Sequence, residues 1–238
     1  MTKIGLSTGG AIAAAFIGAA VVAGGGWRGA AVLFAFFIPS MLLSRVGHAK
    51  KRGLVDIGKQ GARDAWQVLA NGGVAAVAIL LSLRYGAPMF AAFAGAFAAA
   101  SADTWATEIG TLAKGAPRSI LTMKALAPGI SGGITIQGSL AQVAGAFVVA
   151  IVAVLVNVAP LWPVLLGGVF GSIADSVLGA TLQTLRYCPQ CLRDCETDPH
   201  ACGTPTIVRR GVRWFDNDAV NFAATIAGAL VALIAAAL

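Results

Sequence analysis

Four acidic residues, Asp103, Glu108, Asp175 and Asp218, stand inside or at the edge of long runs without any other charge. A carboxylate is expensive at membrane depth, and one that persists there is a functional hypothesis by default. Oxygen ligands without a histidine cluster suit magnesium rather than zinc. The first chemistry to consider is therefore a cation held by acids. On the segment Asp103-Thr104-Trp105-Ala106-Thr107-Glu108-Ile109-Gly110, Asp103 pairs with Thr107 and Thr104 with Glu108 at i,i+4. Asp103 and Glu108 are five apart, roughly 140° around an ideal helix, so they do not share a face. Either the span ends between them or only one of them touches the metal.

Further polar residues recur near the ends of other apolar runs. In Gly171-Ser172-Ile173-Ala174-Asp175-Ser176-Val177-Leu178-Gly179-Ala180-Thr181-Leu182-Gln183, the residues Ser176, Gly179 and Gln183 fall on one face. Asp218 and Asn221 lie at i and i+3, with Asp216 before them in the position of a helix N-cap. Asp64 and Asn71 are seven apart and share a face, Asp64 being a cap candidate and Asn71 a ligand candidate. Between two apolar runs comes Lys124-Ala125-Leu126-Ala127-Pro128-Gly129-Ile130-Ser131-Gly132-Gly133-Ile134-Thr135. A glycine-rich turn that leads into a helix exposes N–H groups and a positive dipole end, a cradle for phosphate. Its spacing is not that of a P-loop. Cys188, Cys191, Cys195, His200 and Cys202 form a second constellation. A CxxC knuckle followed by Cys and His is a structural zinc pattern, with five candidates competing for four places.

The elements that must position these groups are membrane helices. Of 238 residues 58% are hydrophobic and 11% charged, and mean hydropathy is +0.81, far outside the range of soluble domains. Seven segments approach the ~20 apolar residues a span needs, at approximately 4–23, 30–46, 66–83, 88–107, 140–158, 161–184 and 219–237. The expected fold class is all-α, a polytopic helical bundle forming one domain over 1–238, with a Cys-rich loop at 185–217. The runs are rich in Ala and Gly, which lets helix backbones approach closely. Lys50, Lys51, Arg52, Lys59 and Arg63 lie between the second and third segments, which the positive-inside rule makes cytoplasmic. Alternation from there gives N-in, C-out, in the cell inner membrane. It also collects Asn71, Asp103, Glu108, Asp175, Asp218 and Asn221 at the cytoplasmic side. The net charge of +7 is spent on orientation, and no nucleic-acid pattern accompanies it.

The segments Asp103–Gly110, Ser131–Thr135, Gly171–Ala180 and Asp216–Phe222 together resemble the integral-membrane family of phytyl-phosphate kinase and transmembrane protein nineteen, the domain-of-unknown-function family ninety-two. The resemblance runs through most of the chain in the same order. It implies a phosphotransferase that converts an isoprenyl monophosphate, such as phytyl or geranylgeranyl phosphate, to the diphosphate with CTP or another nucleoside triphosphate and Mg2+, in tocopherol supply. On that reading Asp103, Glu108, Asp175 and Asp218 bind magnesium. Asn71, Thr107, Ser176, Gln183 and Asn221 orient substrate, and Ser131, Gly132, Gly133 and Thr135, with Lys124, hold nucleotide phosphates. An ion-coupled transporter would also use half-buried acids, and a CTP-dependent lipid kinase or nucleotidyltransferase would use the same ones. The Gly and Ala faces could also support a homodimer.

Overall fold

The computed structural model describes residues 5–46 and 62–238. The basic stretch from Lys50 to Lys59, on which the orientation largely rests, lies outside the described residues. Among those described are six helices: α1 Thr8–Leu43, α2 Ala65–Tyr85, α3 Ala87–Gly110, α4 Ile136–Leu155, α5 Leu161–Thr181 and α6 Asn217–Ala237. Five of them, all but α3, are long and apolar enough to cross a membrane.

Where the sequence suggests two spans at 4–23 and 30–46, the chain runs as one element broken at Gly26, whose φ of 56° and ψ of −148° are not helical. Only glycine adopts such a conformation without strain. A Cβ on Gly29 would lie 3.1 Å from the Val21 carbonyl oxygen. Along a straight helix eight residues cover about 12 Å, so the chain folds back on itself and α1 is a hairpin of two arms.

Helix α3 is the axis of the bundle. It packs against all five other helices, and every residue from Ala91 to Ala102 is buried. A helix surrounded in this way needs small side chains more than hydropathy. Its contacts with α5 and α6 are made through glycines: a Cβ on Gly228 would stand 2.6 Å from the Ala99 Cβ and 2.9 Å from the Gly167 carbonyl oxygen. Larger rings fill the side toward α1, with Phe36 stacked on Phe97 at 5.4 Å and Phe93 edge-on to Phe97 at 5.3 Å. Outside this core Phe16, Val77, Leu140, Phe170 and Leu230 are exposed, as expected of a surface that faces lipid. Trp27, Tyr85 and Trp162 project at one end of the bundle and Trp66 and Trp214 at the other, the placement of interfacial aromatic belts.

Two small sheets depart from a purely helical reading. Arg118–Ser119 (β1) pairs antiparallel with Gly133–Ile134 (β2), closing the segment between α3 and α4 into a hairpin. In the Cys-rich loop Leu185–Cys188 (β3), Arg193–Cys195 (β4) and Ile207–Arg210 (β5) form a sheet of order β4-β3-β5. Alternation over two to four residues is too short to register against the surrounding helical pattern.

Candidate functional site

One end of the bundle gathers the polar groups. The strap that opens it is Arg63, whose backbone N–H donates to the Gly5 carbonyl and whose carbonyl accepts from the Ser7 N–H. The Arg63 guanidinium also donates to Ser44 Oγ at 3.2 Å. The start of α1, its end and the start of α2 are thereby tied together. The end of α3 joins them, because Glu108 lies in the field of Arg63. Burial lowers the Arg63 pKa from its ordinary value, and Glu108 opposes that shift. The start of α4 meets the end of α3 where Gly138 abuts the Ala106 carbonyl. The end of α5 meets the start of α6 through the Thr184 N–H, which donates to the Phe215 carbonyl at 3.0 Å.

Two predicted acids meet directly. The Asp103 carboxyl on α3 and the Asp175 carboxyl on α5 lie against each other, within reach of a shared proton. Two ionised carboxylates in contact repel, so such a pair needs a shared proton or a cation between its oxygens. A third acid lies in the electrostatic range of Asp175: Glu196, just after β4. It accepts from the Ser131 N–H at 3.0 Å and from the Gln183 side-chain amide at 3.1 Å. Burial pushes the Glu196 pKa above its ordinary value, against the opposing pull of Ser131, Arg210 and Gln183. Arg210 in turn donates to the Gly179 carbonyl at 3.3 Å and to the Ala180 carbonyl. These are the last carbonyls of α5, where a cation complements the helix dipole.

The glycine turn sits against the same helix end. A Cβ on Gly132, whose φ is +82°, would come within 2.8 Å of Ala180 backbone atoms, so only glycine fits. Two N–H groups of this turn are already engaged, Ser131 to Glu196 and Gly133 to the Ile130 carbonyl. Thr135 caps α4 by accepting from the Gly138 N–H at 3.0 Å. The Lys124 side chain is exposed at the β1–β2 hairpin, and among the described residues no hydrogen bond or ion pair joins it to the acids.

The four acids do not form one cluster. Glu108 faces Arg63, while Asp103 faces Asp175. The helix does not end between them, since α3 is continuous through Gly110, and their different partners follow from the angle between them. Asp218 is buried at the start of α6 and lines, with Trp66, Leu69, Gly73 and Phe222, a groove of about 570 Å³ between α2 and α6. Asn71 lines a second cavity, of about 270 Å³, between α1 and α2, and its amide donates within its own helix to the Gln67 carbonyl at 2.9 Å. Thr107 is exposed and Ser176 and Asn221 are half-buried. The two caps are as read: Asp64 forms a capping box with Gln67, and Asp216 accepts from the Asp218 and Ala219 N–H groups.

Of the five residues in the cysteine constellation, four converge on one point. Cys188, Cys191, His200 and Cys202 bring their ligand atoms within 4.8 Å of one another, and among the described residues this is the one group of three or more that does so. Cys195 stands apart and directs its thiol to the Thr197 carbonyl. Thr204 and then His200, by hydrogen bonding, hold the Cys202 thiol down to about 6.

Glu196, Arg210 and Arg63 are functional candidates that sequence reasoning missed. The Ser131–Glu196 bond spans 65 residues, which no local periodicity registers. Arg63 was legible only as a marker of membrane side, and Arg210 gave no local signal of its role.

These features define the class: an integral membrane helical bundle whose polar chemistry lies at one end. The chain matches the family described as Integral membrane protein DUF92 over residues 1–229, and it belongs to that family. Protein PGR of Arabidopsis thaliana is 30% identical over 243 residues, covering 88% of this chain and 82% of its own length. The uncharacterized membrane protein MJ0933 of Methanocaldococcus jannaschii is 29% identical over 212 residues, with 88% and 76% covered. The uncharacterized membrane protein sll0875 of Synechocystis is 26% identical, with 70% and 68% covered. No solved structure matches.

Proposed function

We propose that the protein is a membrane phosphotransferase that moves the terminal phosphoryl group of a nucleoside triphosphate, CTP first among them, to an isoprenyl monophosphate, giving the diphosphate. The observation that carries this reading is the Asp103–Asp175 pair at the polar end of the bundle, beside the Ser131–Gly132 turn. The lipid chain would lie along the apolar helices and its phosphate at the rim, where soluble nucleotide reaches it. An acceptor phosphate oxygen attacks the γ-phosphorus, the bond to the β,γ-bridging oxygen breaks, and the nucleoside diphosphate leaves. The acceptor is already anionic, so the site needs alignment and charge neutralisation more than a base. Asp103 and Asp175 would hold Mg2+, which supplies that neutralisation when bound; the donor set of carboxylate oxygens fits it. Gln183 and Arg210 position Glu196 and the end of α5 around the acid pair.

The two arms of α1 with α2 to α6 support seven crossings. With α1 beginning and α6 ending at opposite ends, the termini fall on opposite sides of the membrane, and the basic residues of the sequence between the second and third apolar segments support N-in, C-out in the inner membrane, the acids toward the cytoplasm. Purified protein in detergent is to be incubated with phytyl or geranylgeranyl monophosphate, labelled CTP and Mg2+. Labelled prenyl diphosphate is expected. A CDP-lipid product makes the protein a nucleotidyltransferase instead, and absence of any labelled lipid overturns the proposal.

A further inference from the structure

The Cys-rich insertion between α5 and α6 is built around four convergent soft ligands that the phosphotransfer reading does not use. Cys188 ends β3, Cys191 sits in the turn to β4, and His200 and Cys202 lie on a second turn closed by the Gly203 N–H to His200 carbonyl bond at 2.8 Å. The Cys188 and Cys202 sulfurs are 3.6 Å apart. That is well beyond a disulfide bond, about 2.0 Å. With zinc–sulfur bonds of about 2.3 Å, the sulfur–sulfur edge of a regular tetrahedron is about 3.8 Å. His200 Nδ1 stands 3.0 Å from the Cys202 sulfur, on the same small volume. The backbone already favours thiolate at one corner, where the Cys191 N–H donates to the Cys188 sulfur at 3.4 Å, and the Cys202 sulfur is held in place by Thr204 Oγ1 at 3.3 Å. Three sulfurs and one imidazole with no open position describe a structural zinc centre rather than a catalytic one.

We propose that Cys188, Cys191, His200 and Cys202 bind one Zn2+ ion, which clasps the insertion and sets Glu196 against Ser131 and Gln183. The mechanical link is short. Glu196 lies between the two ligand pairs, and β5 leads from the second pair to Arg210 on the end of α5. An insertion of this size has too little apolar core to fix such a geometry alone, and a metal supplies the missing constraint. Cys195, buried and turned to Thr197, is excluded from the centre although its sequence position would admit it.

The full-length protein, purified in detergent without chelators, should carry one zinc ion per chain by elemental mass spectrometry. Cys191→Ser and Cys202→Ser should lose it, while Cys195→Ser should retain it. Wild-type protein that holds no zinc even after incubation with it overturns the proposal, as does loss from Cys195→Ser together with retention in Cys191→Ser. Should the serine variants fail to accumulate, cobalt substitution of the wild type decides. Visible bands and sulfur-to-metal charge transfer of a tetrahedral thiolate site, abolished by added zinc, are expected, and a spectrum of octahedral aqueous cobalt refutes the site. Because none of these readings depends on turnover, their outcome is independent of the phosphotransferase proposal.

Discussion

Replacing Glu196 by alanine removes the acceptor for two donors at once, the Ser131 N–H at 3.0 Å and the Gln183 amide at 3.1 Å. Gln183 is only 3% exposed, so its orphaned amide loses about 1–3 kcal/mol, whereas the Ser131 N–H, in a half-exposed turn, regains water and loses less than about 1 kcal/mol. The sum, on the order of 1–4 kcal/mol, is below the ~5–15 kcal/mol that holds a domain together. The expected result is therefore local: the insertion undocks while the bundle stays folded. At ~1.4 kcal/mol per decade, the open population rises roughly 5- to 700-fold. Trypsin reads this directly, since Arg193 and Arg209 are exposed strand residues of the insertion. Glu196→Gln keeps one acceptor for Ser131, and Gln183 can turn its amide to receive the new donor, so its loss should stay under about 1 kcal/mol. The pH dependence carries the same logic. Burial raises the Glu196 pKa in the folded state above its unfolded value, and hydrogen bonds from Ser131, the Arg210 charge and Gln183 oppose that shift only in part. Its contribution is then fully present below the ordinary glutamate pKa and is lost as pH rises through the raised value. Protection from trypsin should fall with rising pH in the wild type and stay flat in Glu196→Gln. Equal cleavage of wild type and Glu196→Ala would refute the reasoning.

Other perturbations test other parts. Asp175→Asn should abolish prenyl diphosphate formation with an unchanged elution profile in detergent, and retained activity removes Asp175 from the site. Gly228→Leu forces a Cβ into the Ala99 and Gly167 contacts and should cost at least about 1–3 kcal/mol; an unchanged melting temperature would show that these helices can separate. A double-mutant cycle of Arg63→Ala and Glu108→Gln should give a coupling of about 0.5–3 kcal/mol, and strict additivity would sever the proposed strap.

The helical class and the convergence of polar residues at one end were legible because both follow from one-dimensional patterns. Apolar length reports crossing, and crossing parity places Asn71, Asp103, Asp175 and Asp218 at the same end. The caps at Asp64 and Asp216 were legible for the same reason, being local. What parity does not report is azimuth. Asp103 and Glu108 share an end but turn to Asp175 and Arg63, and Asp218 faces the groove beside Trp66. Which four of the five Cys and His side chains converge depends on the strand pairing of β3 with β4, which places Cys195 opposite Arg186. The fold-back at Gly26 was visible as two apolar runs separated by glycines, though the continuous element Thr8–Leu43 was not.

The burial of α3 on every side has a consequence for how the chain is made. Its partners α4, α5 and α6 are all encoded after it, and the end of α6 at Ala237 follows Gly110 by 127 residues, 237 minus 110. At ~5–20 residues per second the ribosome needs roughly 6–25 s to supply them. For about the first half of that interval, until Asp175 is made 65 residues after Gly110, a segment of alanines and glycines carries Asp103 without its partner, a combination that lipid receives poorly. The contacts that bury the central helix on every side are therefore complete only once the last helix, α6, has been made.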